Sequence, residues 1–96
     1  MRTMMTITIP VKAGNQAIKD GALPKTMADA LERLRPEAAY FFTENGARTA
    51  LMVIDVKDPS EIPAIVEPFF MEFNAAVQLT PVMNADDLKK GLARIA

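Results

Sequence analysis

The side chains able to do chemistry in this chain are mainly neutral hydroxyl and amide groups set among apolar residues. Tyr40 is the single tyrosine and lies in an apolar stretch. Thr6 and Thr8 flank an isoleucine near the start, and Gln78 and Thr80 flank a leucine near the end. Such groups orient a small organic molecule in an apolar cavity through hydrogen bonds. We therefore predict that Tyr40, Thr6, Thr8, Gln78 and Thr80 bind a ligand, and we assign no catalytic residue.

Each of these residues also has a structural interpretation that the sequence leaves open. Tyr40 suits a core position in which the ring is buried and the hydroxyl reaches the rim. The threonines and Gln78 suit a half-polar, hydrated interface between two copies of the chain, which is compatible with ligand binding. Asp55 ends an apolar segment, so it fits either a general base of raised pKa or a solvated strand end.

The residue types that are missing exclude several classes of site. The chain has no histidine and no cysteine. Catalytic sites of the Ser-His-Asp and Cys-His kinds need those side chains, as do structural zinc sites. The usual histidine or cysteine ligands of haem are missing too. We therefore expect no bound metal and no cofactor.

Charge and hydropathy narrow the range of partners. Eleven basic and twelve acidic residues give a net charge of −1, and the basic ones are scattered. Nucleic-acid binding needs clustered lysine and arginine, so no nucleic-acid partner is expected. No apolar run approaches the length of a membrane span, and the apolar start is too short and too polar for a signal peptide. The expected location is the cytoplasm.

These groups act together only if the secondary-structure elements bring them to one surface. A length of 96 residues indicates one domain spanning residues 1–96. Alternating apolar residues predict strands, and apolar stripes at helical spacing predict helices. The predicted strands cover residues 3–10, 38–44, 47–56 and 75–83. A helix in two pieces is predicted over 15–35, capped by Asn15 and broken at Gly21. A second helix is capped by Ser60 and kinked or split at Pro68, and a last helix is capped by Asn84.

The central hairpin carries the strongest local signal. Asn45 and Gly46 are the preferred pair for a two-residue type I′ turn, and they separate two apolar segments. That turn sets a register in which Glu44 faces Ala47 and Tyr40 faces Leu51. Both faces of the hairpin are then apolar, whereas an antiparallel sheet with one wet face alternates cleanly between apolar and polar residues.

The order of elements predicts an α+β fold. A β-α-β-β-α-β order with a short C-terminal helix matches the ferredoxin-like pattern, with a four-stranded antiparallel sheet in the order 4-1-3-2. Both main helices then lie on one face of the sheet. We expect the other face to be covered by a second copy related by a two-fold axis. The alternative is that the last helix folds back over its own sheet.

A segment near the C-terminus resembles a known superfamily. It runs Val77-Gln78-Leu79-Thr80-Pro81-Val82 and is followed by Asp86-Asp87. The pattern is similar to small domain families of unknown function within the dimeric α+β barrel superfamily. The resemblance implies two ferredoxin-like sheets packed face to face in a homodimer. Relatives in that superfamily include muconolactone isomerases, cofactor-free quinone-forming monooxygenases and haem-dependent chlorite dismutases, and the haem ligand of the last has no counterpart here.

The functional expectation follows from the predicted dimer and its polar groups. We expect a cytoplasmic homodimer, formed through the sheet face, that holds a small apolar organic molecule in a sheet-lined cavity. One alternative, implied by the resemblance, is a cofactor-free isomerase or monooxygenase. Another is a non-catalytic protein-interaction module, which would have a solid core and no cavity.

Overall fold

Four strands and four α-helices follow one another in a β-α-α-β-β-α-β-α order. The computed structural model describes residues 1–95, which leaves Ala96 of the predicted domain outside the described residues. The elements are β1 (Arg2–Ile9), α1 (Val11–Lys19), α2 (Ala22–Leu34), β2 (Ala38–Glu44), β3 (Ala47–Asp55), a 3₁₀ turn (Pro59–Glu61), α3 (Ile62–Phe73), β4 (Ala76–Pro81) and α4 (Ala85–Ala93).

The four strands form one antiparallel sheet in the spatial order β2-β3-β1-β4. This is the predicted order, and it confirms an α+β chain consistent with the ferredoxin-like fold. β1 and β3 are the central strands, and β2 and β4 are the edges. Pro81 lies at the end of β4, where an edge strand tolerates a residue that cannot donate a backbone hydrogen bond.

The hairpin between β2 and β3 has the predicted turn and register. Asn45 and Gly46 both have positive φ, at 52° and 74°, as a type I′ turn requires. Glu44 pairs with Ala47, and Tyr40 pairs with Leu51. The local turn chemistry therefore settles which β2 side chains share a face with those of β3.

The core lies between the sheet and the helices. Every second residue of β1 is buried, including Met5 and Ile7, which have no solvent exposure. Met52 of β3 lies beside Met5, and Phe69 and Phe73 of α3 are fully buried in the same cluster. Each such side chain contributes roughly 1.5–3 kcal/mol through its removal from water. The helices therefore cover only one of the two faces of the sheet.

The first helix begins earlier than predicted. α1 starts at Val11, directly after Pro10, so the prediction that Asn15 caps this helix is wrong. Asn15 lies inside α1, and its side-chain oxygen accepts a hydrogen bond from Nη2 of Arg48 at 3.1 Å. The predicted break at Gly21 is confirmed, since its φ of 82° separates α1 from α2.

The cap before α3 comes from a different residue than predicted. The side chain of Asp58, not that of Ser60, accepts from the backbone N–H of Ser60 at 3.0 Å. The Glu61 carboxylate accepts from the N–H of Asp58 at 2.8 Å and completes a capping box. Ser60 lies within the 3₁₀ turn, and its hydroxyl donates to the same Asp58 carboxylate.

α3 continues through Pro68, so the predicted split is wrong. Proline has no N–H, which frees the carbonyl oxygen of Ala64, four residues earlier. That oxygen accepts a hydrogen bond from Nη1 of Arg33 in α2 at 3.0 Å. A donor from a neighbouring helix thus replaces the missing backbone bond.

We predict that Gly46→Ala destabilises the protein by roughly 1–2 kcal/mol, because an L side chain at positive φ strains the backbone. Gly91→Ala is the matched control, since Gly91 lies in α4 and a Cβ there meets nothing within 4 Å. Urea denaturation followed by circular dichroism measures both. Equal stability of the two variants would contradict the strained-turn interpretation.

We also predict a pH dependence from Asp58. Hydrogen bonds from the side chain and the backbone of Ser60 lower the pKa of the Asp58 carboxyl below its usual value near 3.8. The ionised carboxylate therefore stabilises the fold above that value, and this contribution is lost as pH falls through the lowered pKa. Asp58→Asn keeps the acceptor but removes the charge. The difference in urea midpoint between wild type and variant should shrink from about pH 5 to about pH 3.

Candidate functional site

The candidate site is the sheet face that points away from α1, α2 and α3, which we call the open face. It carries every residue that the sequence analysis assigned to ligand binding. Its residues, read from the pairing register, are Arg2, Met4, Thr6 and Thr8 on β1, Ala38, Tyr40, Phe42 and Glu44 on β2, Ala47, Thr49, Leu51, Val53 and Asp55 on β3, and Ala76, Gln78 and Thr80 on β4.

One row of the open face crosses all four strands. Gln78 of β4 pairs with Thr6 of β1, Thr6 pairs with Leu51 of β3, and Leu51 pairs with Tyr40 of β2. Neighbouring strands lie about 4.8 Å apart, so Gln78 and Tyr40 are roughly 14 Å from each other. At that distance Gln78 and Tyr40 do not contact each other directly.

Each of the rows on either side carries fewer polar groups. Thr80 and Met4 continue to Val53 and Ala38 on one side, and Ala76 and Thr8 continue to Thr49 and Phe42 on the other. Most of the polar groups lie over β4 and β1, and most of the apolar groups lie over β3 and β2. The structure thus brings the five predicted residues onto one surface with a polar half and an apolar half.

Most of the open face is accessible in the single chain, although Thr49 is only 4% exposed. Tyr40 is 65% exposed and Phe42 is 39% exposed, so Tyr40 is not a core aromatic residue. Thr6, Met4 and Leu51 are half-buried. The apolar half of this face therefore lies in contact with water unless another molecule covers it.

The last helix does not cover the open face. α4 has no buried residue, its apolar side chains Leu88 and Leu92 are exposed, and so is Ile95 beyond its end. Asn84 caps it as predicted, through a capping box with Asp87. The alternative in which this helix folds back over its own sheet is therefore wrong for the described chain.

A cluster of charged residues lies at one end of the open face. Nε of Arg2 donates to the Glu37 carboxylate at 2.6 Å, and Nη1 of Arg2 donates to Asp87 at the start of α4. The hydrogen bond from Arg2 to Glu37 is the main reason why the pKa of Arg2 is raised. The N–H of Val82 also donates to the Arg2 carbonyl at 3.1 Å. These bonds hold the start of α4 beside the first residue of β1.

Asp55 belongs to the same end and is not a general base of raised pKa. Its carboxylate accepts a hydrogen bond from the amino group of Met1 at 2.7 Å. That bond is the main reason why the pKa of Asp55 is lowered. An ionised, paired carboxylate is a weak proton acceptor, so Asp55 has a structural role here.

An apolar cleft that the sequence analysis missed lies on the helix side of the sheet. It has a volume of about 410 Å³ and is lined by residues that include Thr3, Ile62, Leu79 and Lys57. Thr3 is buried, and its hydroxyl donates to the Met1 carbonyl at 3.0 Å. No sequence signal marks this cleft, because its walls come from segments far apart in the chain.

Residues 1–95 contain neither a cluster of metal-binding side chains nor a membrane-spanning helix. No group of three or more potential metal-binding side chains is close enough together to hold an ion. None of the described helices has the length and apolar character needed to cross a membrane.

Comparison with known proteins assigns no relative. No protein-family model matches the chain, and no curated protein sequence matches it. The resemblance to dimeric α+β barrels therefore stays a prediction from the sequence.

Proposed function

We propose that the chain forms a homodimer of the dimeric α+β barrel type, in which two open faces pack together and enclose a small, uncharged, mostly apolar organic molecule. The row formed by Gln78, Thr6, Leu51 and Tyr40 carries this proposal. It presents hydrogen-bonding groups at both ends of an apolar surface that no part of the described chain covers. Cofactor-free catalysis is the alternative, and the superfamily resemblance alone implies it.

The energy of burial favours a second copy as the cover. The exposed side chains of Tyr40 and Phe42, and the half-buried one of Leu51, each gain up to roughly 1.5–3 kcal/mol when they are fully removed from water. A two-fold axis supplies the same apolar area from the second copy, so the face covers itself. A standard interface buries about 800 Å² on each partner, which is on the scale of a four-stranded sheet face.

The distribution of charge indicates a neutral ligand. The charged residues of the open face, Arg2, Asp55 and Glu44, lie at the ends of strands, and the middle rows carry none. A charged ligand enclosed there would lose its hydration and find no counter-ion. A molecule with one or two hydroxyl or carbonyl groups matches the hydroxyl and amide groups of Thr6, Gln78 and Tyr40.

We predict that the wild-type protein has twice the 10.5 kDa mass of one chain at micromolar concentration. Gln78→Lys should weaken the dimer by about 100-fold or more, because it buries like charges in the packed faces. Gln16→Lys is the matched control, since Gln16 is an exposed residue of α1. Size-exclusion chromatography with light scattering measures the masses. A wild-type monomer, or equal behaviour of the two variants, would contradict the face-to-face dimer.

We predict that the dimer binds 2,6-dihydroxynaphthalene, a neutral aromatic probe with a hydroxyl at each end, and that Tyr40→Phe weakens binding about 5- to 13-fold. That loss corresponds to one neutral hydrogen bond of about 1–1.5 kcal/mol. Fluorescence titration measures the affinity, and light scattering verifies that Tyr40→Phe remains a dimer.

Thr6→Val and Thr43→Val provide a matched pair for the same titration. Thr6 lies on the open face, and Thr43 lies on the opposite side of the sheet. Only Thr6→Val should weaken binding. A dimer that does not bind the probe, or binds it equally well in all variants, would favour a non-catalytic interaction module instead.

A further inference from the structure

The outer edge of β2 presents unpaired backbone groups. β2 has β3 on one side and, among residues 1–95, no strand on the other. In a two-residue hairpin, Glu44 and Ala47 form a hydrogen-bonded pair, so Phe42 and Tyr40 also direct their N–H and C=O groups toward β3. The intervening residues Ala39, Phe41 and Thr43 direct theirs outward. These are the groups that another strand would bind.

This edge lacks the features that usually prevent strand pairing. Protected edges carry proline, lysine or a bulge, or are covered by another element. The segment Ala38–Glu44 contains no proline and no basic residue. Phe41, on the helix side of the sheet, is 56% exposed, and Tyr40 and Phe42 are exposed on the open face. The edge is therefore apolar on both sides as well as unpaired.

The edge is complementary to itself. In an antiparallel pair centred on Phe41, Phe41 lies opposite Phe41 of the second copy, and Ala39 lies opposite Thr43. All three outward-facing residues then meet outward-facing residues, and each opposed pair exchanges two backbone hydrogen bonds. The same register places Glu44 opposite Ala38, so like charges do not face each other directly.

We propose that β2 pairs antiparallel with β2 of a second copy about a two-fold axis at Phe41, which joins the two sheets into one continuous sheet. The contact removes roughly 300 Å² of aromatic surface per copy from water, judged from the usual size of these side chains. That is well below the 800 Å² of a standard interface, so the pairing is weak and depends on concentration.

The edge contact is independent of the face-to-face dimer. It uses the outer backbone of β2, whereas the face contact uses side chains such as Thr6 and Gln78. A two-fold axis perpendicular to the sheet leaves both open faces on the same side. If both contacts form, four or more copies associate; if only one forms, two do.

Amide hydrogen exchange resolved by NMR tests the proposal directly. The amides of Tyr40 and Phe42 bond to β3 and should be protected at every concentration. The amides of Ala39, Phe41 and Thr43 should exchange rapidly in dilute protein and at least about 10-fold more slowly in concentrated protein. Rapid exchange of these three amides at all concentrations, while Tyr40 and Phe42 stay protected, would overturn the proposal.

Two variants at one position separate the backbone contribution from the side chain. Thr43→Pro removes an outward N–H, which an edge strand tolerates, and Thr43→Ala keeps it. Light scattering should show that Thr43→Pro loses the concentration-dependent increase in mass and that Thr43→Ala retains it. If circular dichroism shows that Thr43→Pro is unfolded, Phe41→Lys replaces it, because that change places two ammonium groups opposite each other at the axis.

Combination with Gln78→Lys distinguishes the two proposals. If the face-to-face dimer fails but the edge contact is correct, Gln78→Lys still gives a dimer that Thr43→Pro or Phe41→Lys abolishes. If the edge contact fails, neither β2 variant changes the mass of wild type or of Gln78→Lys. A mass insensitive to both β2 variants therefore overturns the edge proposal and leaves the face proposal standing.

Discussion

Each strand of the central sheet has two faces, and the helices of this chain cover only one of them. Side chains alternate between the faces, so Met5 and Ile7 are buried under the helices while Met4 and Thr6 remain half-exposed on the other side. A domain normally buries each apolar layer against another layer. The open face breaks that rule within one chain, and the exposure of Tyr40 follows from it. The proposals for assembly and for ligand binding both depend on this uncovered layer.

The chain stabilises its less regular segments with contacts from distant residues. Arg33 of α2 binds the carbonyl that Pro68 leaves free in α3, so the helix continues where proline alone would interrupt it. Arg2 binds Glu37 and Asp87 and holds the start of α4 at the end of the sheet. Because α4 is held there and buries no residue, it leaves the open face available to another molecule. The ion pairs of Arg2 lie at the rim of the open face, and the middle rows carry no charged residue.

The chemistry of the open face depends on several side chains acting together. No single side chain accounts for it. Tyr40 and Gln78 are too far apart to contact each other, yet they belong to one row that also includes Thr6 and Leu51. Neutral hydroxyl and amide groups bind and orient a molecule through hydrogen bonds. The one carboxylate considered as a base, Asp55, is paired and ionised instead. Binding is therefore the activity that we propose for this face.

Several features were predictable from the sequence because neighbouring residues decide them. The turn at Asn45 and Gly46 determined the pairing of β2 with β3, and the handedness of the crossovers determined the order of the strands. The five polar residues fell on one face for the same reason, since strand register follows from local turns and alternation. Only the tertiary structure decided where α1 begins, that α3 remains continuous, that α4 stays off the sheet and that a cleft forms beside Thr3. Those outcomes depend on groups distant in sequence, such as Arg48 on α1 and Arg33 on α3, whose meeting no local pattern encodes.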